Sequence, residues 1–123
     1  MKYSVFIVED EPILQYLYES LLKSAGYLVI STAKNGEEAI TKFRLFPNKP
    51  DFILMDYRMP IKNGLEAMEE ILRVQPSSKI IFASADRSIK EKALSSGAVG
   101  FLEKPFDSAD LIHYLKNLGQ AEA

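Results

Sequence analysis

The chain has 123 residues, 47% of them apolar and 26% charged, which is the size and composition of one soluble globular domain with no room for a second. Fifteen Lys and Arg against seventeen Asp and Glu leave a net charge of −2, the wrong sign for a protein that tracks nucleic-acid phosphates. With no cysteine and a single histidine, disulfides, thiolate metal sites and imidazole clusters are excluded, so any bound metal must be held by oxygen.

Taken in chain order, Tyr3–Val8 is an apolar run of strand length. Pro12 suits the first turn of a helix whose apolar stripe is Leu14, Leu17, Leu21 and Leu22, and Gly26 suits the residue just past its end. Tyr27–Thr32 reads as the second strand, followed by the connection Asn35-Gly36 and a helix striped by Ala39, Ile40, Phe43 and Phe46. Phe52–Met55 is the third strand, and beyond Asn63-Gly64 the residues Leu65, Met68, Ile71 and Leu72 mark the third helix. Lys79–Ser84 is the fourth strand. The helix after it, Ser88–Ser96, is weaker, with Ile89, Ala93 and Leu94 as its apolar side and Gly97 just past its end. Val99–Leu102 is the fifth strand, and Leu111, Ile112, Leu115 and Leu118 define the fifth helix. Residues 1–118 make the domain and 119–123 read as a C-terminal tail. The apolar runs fall short of the roughly 20 residues that span a bilayer, and the start Met-Lys-Tyr-Ser-Val lacks a signal-peptide layout, so the chain reads as cytoplasmic with no membrane partner.

Five strand–helix pairs of this length predict an α/β fold with one doubly wound parallel sheet. Parallel strands need crossover helices, and several strands are apolar without alternation, as strands covered on both faces are. Ligands in such sheets bind outside the carboxyl ends of the strands, so the residues that end each strand come first. They are Glu9-Asp10-Glu11, Asp56-Tyr57-Arg58, Ser84-Ala85-Asp86 and Glu103-Lys104-Pro105. No glycine-rich phosphate loop follows the first strand, and acids there repel a pyrophosphate, which disfavours nucleotide binding. Glu9, Asp10 and Asp56 converge at one sheet edge, where like charges call for a cation, and Mg²⁺ suits an oxygen-only site. An aspartate beside a metal and open to solvent is also a nucleophile toward phosphorus. Ser84 offers a hydroxyl, and Lys104 a positive charge, to phosphoryl oxygens.

The acidic pair Glu9-Asp10, the run Asp56-Tyr57-Arg58-Met59-Pro60 with Gly64, Ser84-Ala85 and Lys104-Pro105 together resemble the receiver domains of two-component response regulators, over nearly the whole chain. The resemblance implies a flavodoxin-like, CheY-like sheet of order 2-1-3-4-5. It implies that Asp56 accepts a phosphoryl group from a sensor histidine kinase or phosphotransfer protein, that in the Mg²⁺ site Asp10, Asp56 and the backbone carbonyl of Arg58 hold the ion while Glu9 assists through water, and that Ser84 and Lys104 contact the phosphoryl group. It further implies a cis Lys104–Pro105 peptide, an aromatic switch at Phe101 working with Ser84, and a surface on the fourth helix, fifth strand and fifth helix for a downstream protein or a second copy. Many members carry two aspartates where this chain has Glu9-Asp10.

Arg58 and Asp86 flank the pocket with opposite charges that suit an ion pair across the path of water to Asp56, and so tune the phosphoryl lifetime. His113, on the fifth helix, reads as a solvated surface residue rather than a relay histidine. Two rival readings are a Mg²⁺-dependent phosphatase of the haloacid dehalogenase type and a pseudo-receiver that only binds proteins. The first needs a second acid two residues past its nucleophile, where this chain has Arg58.

Overall fold

The computed structural model describes residues 2–122. Its elements run β1 (Ser4–Val8), α1 (Pro12–Ser24), β2 (Leu28–Ala33), α2 (Gly36–Leu45), β3 (Phe52–Met55), α3 (Gly64–Val74), β4 (Ile80–Ser84), a 3-10 turn (Arg87–Ile89), α4 (Lys90–Ser95), β5 (Gly100–Glu103) and α5 (Ser108–Glu122). All neighbouring strand pairs are parallel, in the order β2-β1-β3-β4-β5.

The pleat sends alternate residues to two apolar layers. Val5, Ile7, Phe52, Leu54, Ile81 and Ala83 meet α1 and α5 through Tyr18, Leu22, Leu111 and Leu115. Phe6, Val8, Ile53, Met55, Ile80 and Phe82 meet α2, α3 and α4 through Ile40, Phe43, Met68, Ile71 and Ala93. Because both faces are covered, the central strands have no polar side, which explains their unbroken apolar runs.

Helix ends follow local chemistry. Pro12 opens α1, the Asn35 side chain accepts from Glu38 N, and Asn63 with Glu66 closes a capping box on α3. Gly26 and Gly97 take positive φ angles of 94° and 124° just past α1 and α4.

Four expectations need correction. β2 begins at Leu28, because Tyr27 N is used to close α1 by donating to Leu22 O at 2.9 Å. α4 has only six residues, since the Asp86 side chain caps Ser88 N and starts a 3-10 turn instead. Leu17 and Leu94, placed on apolar stripes, are 52% and 40% exposed. Residues 119–122, read as tail, continue α5, where Tyr3 Oη donates to Gly119 O at 3.2 Å. Among the described residues, no helix is long and apolar enough to cross a membrane.

Candidate functional site

Three side chains are placed by extending the sheet ladder one step past its strands. Glu9 N donates to Ala33 O, Asp56 N to Val8 O, and Lys104 N to Ser84 O, each at 2.9 Å. The backbone that aims each charged group is therefore as firmly held as the sheet itself.

Glu9, Asp10 and Asp56 each bring a carboxylate oxygen within 4.8 Å of the others. Glu9 is 1% exposed and Asp56 8%, while Asp10 is half-buried. Lys104 Nζ lies 2.8 Å from Glu9 Oε1 and 3.3 Å from Asp56 Oδ1, and Tyr57 N donates to the same Asp56 oxygen at 2.9 Å. Glu9 is further held by Glu11 N at 3.2 Å, and Gln15 Nε2 grips its carbonyl at 2.9 Å.

Burial and then the neighbouring Glu9 charge push the Asp56 carboxyl up to about 7, against the opposing pull of Lys104. Burial likewise raises Glu9, although its bond to Lys104 counteracts this. Burial disfavours the Lys104 ammonium, yet its hydrogen bond to Glu9 and the charges of Asp56 and Glu9 outweigh that, leaving its pKa raised. Three carboxylates against one ammonium leave an excess of two negative charges when all are ionised, on an oxygen-only donor set. A hard dication such as Mg²⁺ fits that set.

The cluster opens into a cleft of about 500 Å³ whose walls include Asp10, Arg58, Ser84, Asp86 and Lys104. Ser84 is 2% exposed and its Oγ accepts from Asp86 N at 3.0 Å. Arg58 and Asp86 meet at 2.8 Å, which joins the loops after β3 and β4 at the cleft. The Lys104–Pro105 peptide is cis. Phe101 is half-buried against the layer under α2, α3 and α4, away from the carboxylates. His113 is exposed, 3.2 Å from Asn117 Nδ2. Gly64 is required where it stands, because a Cβ there would lie 2.2 Å from the Asp56 carbonyl oxygen.

Sequence reasoning missed Gln15 and Lys62, which hold the loops around the cluster, and an apolar cavity of about 580 Å³ adjoining it at Leu14, Ala85 and Lys104. The helical spacing of Leu14, Leu17, Tyr18 and Leu21, which form its α1 wall, was the available signal for that cavity.

Residues 5–116 match the response regulator receiver domain family. The chemotaxis protein CheY of Thermotoga maritima is 34% identical over 118 residues, covering 94% of this chain and 97% of that protein. Among solved structures, a chain of the CheX–CheY–BeF3–Mg²⁺ complex from Borrelia burgdorferi superposes with a TM-score of 0.89 at 26% identity, covering 94% of this chain and 88% of that one. The response regulator TrrA of Thermotoga maritima, solved in complex with Mg²⁺–BeF, gives a TM-score of 0.84 at 34% identity, covering 96% and 99%. Matches that span almost the full length of both partners, on a sheet of this order, assign the chain to the response regulator receiver domain family, the CheY-like module of two-component signalling.

Proposed function

We propose that Asp56 is the phospho-acceptor of a two-component pathway, taking its phosphoryl group from the phosphohistidine of a sensor kinase or phosphotransfer protein in the cytoplasm. The observation that carries this reading is the Asp56 carboxylate itself, buried at the end of the central strand with two further carboxylates and an ammonium around it. Tyr57 N and Lys104 Nζ both engage Oδ1, so Oδ2, which neither donor engages, is the attacking atom. An Oδ2–P bond forms as the donor's N–P bond breaks, and the imidazole leaves with the electron pair.

Glu9, Asp10, Asp56 and the backbone carbonyl of Arg58 are the residues that would hold Mg²⁺, and the ion supplies charge neutralisation for carboxylates and phosphoryl oxygens alike. The Mg²⁺ and BeF named with two similar proteins support this. Lys104 then exchanges a carboxylate partner for a phosphoryl oxygen, and Ser84 Oγ turns from Asp86 N toward the same group. Movement of Ser84 and of Phe101 transmits the change to the face of α4, β5 and α5, where a downstream protein or a second copy docks. Arg58 and Asp86 tune how long the phosphoryl group survives.

Incubation with acetyl phosphate and Mg²⁺ should add one phosphoryl group to the chain, read by intact mass, and none to Asp56→Asn. Labelling of that variant at another site would overturn the assignment. Continuous turnover of a phosphate ester would instead favour the phosphatase reading.

A further inference from the structure

Ile61 gains nothing from where it sits. The residue is 79% exposed, and its φ of 71° lies in the left-handed region that β-branched residues avoid. Lys62 N donates to Pro60 O at 2.7 Å, two residues back, so the chain makes a γ-turn centred on Ile61, of the strained hand with positive φ.

The turn sends Lys62 back into the molecule. Its carbonyl accepts from Gly36 N at 3.0 Å, and a Cβ on Gly36 would lie 2.5 Å from that carbonyl. Its ammonium, on a side chain only 21% exposed, pairs with Glu70 of α3 and, at 3.3 Å, with Glu37 of α2. Bonding to Glu70 raises the Lys62 pKa and holds Glu70 below the usual carboxylate range. One residue thus fastens the loop after β3 to two helices. The same loop is closed at its base by Gly64 N donating to Tyr57 O at 2.9 Å, and it touches the acidic cluster through Tyr57 N on Asp56.

We propose that Lys62 is a positioning residue for the acidic cluster. By tying residues 57–63 to α2 and α3 it sets how well Glu9, Asp10 and Asp56 hold Mg²⁺, while making none of its own ion pairs to them. The strained turn at Ile61 directs Lys62 back toward Glu37 and Glu70. This deepens the Mg²⁺ assignment above and rests on it.

The test is a calorimetric Mg²⁺ titration of the full chain, with the melting temperature of the metal-free protein read beside it. Lys62→Met should bind Mg²⁺ about tenfold more weakly, the loss typical of a group that orients ligands from behind, and Lys62→Arg should stay within about twofold of wild type. Ile61→Asn, which suits the left-handed turn, should melt higher and bind Mg²⁺ as wild type does. A Lys62→Met protein that melts lower yet binds Mg²⁺ with wild-type affinity overturns the proposal, because the bridge is then structural only. Should Lys62→Met fail to fold, Glu70→Gln takes its place, with weakened binding expected and normal binding fatal. Wild type that binds no Mg²⁺ would overturn the assignment of the acidic cluster and this proposal with it.

Discussion

Phe52, Ile53, Leu54 and Met55 are buried because burial favours them, whereas Asp56, the next residue, is buried against its own preference. The four residues of β3 are at most 3% exposed, and each such side chain contributes roughly 1.5–3 kcal/mol by leaving water. Asp56 is 8% exposed on the same strand axis, and the same burial moves its carboxyl up to about 7. One backbone therefore supports two opposed demands. The strand interior supplies rigidity, and its final step uses that rigidity to hold a carboxylate where the folded protein would prefer it neutral.

Substitutions on either side of that boundary should act in opposite directions. Ile53→Ala should lose about 2–5 kcal/mol in denaturant unfolding, since a fully buried side chain leaves a cavity in the layer under α2 and α3. The fraction that stays folded should still accept phosphate. Asp56→Asn should do the reverse, with labelling lost and metal-free unfolding shifted to higher denaturant at pH 8, because a neutral isostere removes the buried charge facing Glu9. An Asp56→Asn protein less stable than wild type would break the comparison.

Lys104 stands between the two demands, 2.8 Å from Glu9 and 3.3 Å from Asp56. Without it the carboxylates face each other uncompensated, so Lys104→Ala should be less stable than wild type in metal-free buffer. It should nonetheless take label from acetyl phosphate with Mg²⁺, because its ammonium is needed most once the phosphoryl group is in place. A folded Lys104→Ala protein that labels no better than Asp56→Asn would show that lysine takes part in the transfer itself.

β3 and its final aspartate were legible in the sequence because both are local facts: four apolar residues, then an acid. The ends of β1 at Val8 and β4 at Ser84 were legible for the same reason, as were helices whose apolar stripes face a layer, whereas β2 and β5 each run one residue past their expected ends, to Ala33 and Glu103. What escaped was decided by partners far away in the chain. The Lys104–Glu9 bond joins residues 95 apart in sequence, and Lys62 finds Glu70 and Glu37 on two different helices. No periodicity encodes such pairings. The start of β2 moved by one residue because Tyr27 N was already engaged by Leu22 O, and α4 shortened because Asp86 capped the turn before it. These two, unlike the distant pairings, are competitions for one local hydrogen bond, between residues five and two apart, which apolar periodicity does not report.

The pH dependence of stability sharpens the contrast inside β3. The folded chain keeps the Asp56 proton at pH values where the unfolded chain, with an ordinary aspartate near pH 4, has released it. The folded state therefore binds more protons across that interval, so this group's contribution lowers metal-free stability as pH rises from about 4 to about 7 and levels off above. Glu9, also raised, adds in the same direction. Asp56→Asn should flatten the part of the slope nearest neutrality, and the stabilisation given by millimolar Mg²⁺ should grow over the same range as the competing proton is lost. Unfolding curves at several pH values check both, and equal slopes for wild type and Asp56→Asn would show that Asp56 titrates normally.

The smallest effect belongs at the rim of the cleft, where burial no longer decides anything. Arg58, with a side chain 79% exposed, meets Asp86, at 17%, across 2.8 Å. Two such groups in water contribute little to stability. The pair is nonetheless asymmetric. Asp86 is fixed from behind, with Oδ1 accepting from Ser88 N at 3.0 Å and its own N–H bonded to Ser84 Oγ at 3.0 Å, so Asp86 is the post and Arg58 the arm swung toward it. Arg58 and Asp56 line the same cleft, so a guanidinium held there would obstruct water from lining up for attack on a phosphoryl group carried by Asp56. Arg58→Ala should therefore lose its phosphoryl group a few-fold faster than wild type once acetyl phosphate is removed, with an unfolding midpoint close to the parent's. Asp86→Ala should accelerate less, because it frees the arm without removing it. Equal lifetimes for all three proteins would leave the pair without a part in the chemistry, and a slower Arg58→Ala would mean that the guanidinium draws water in rather than keeping it out.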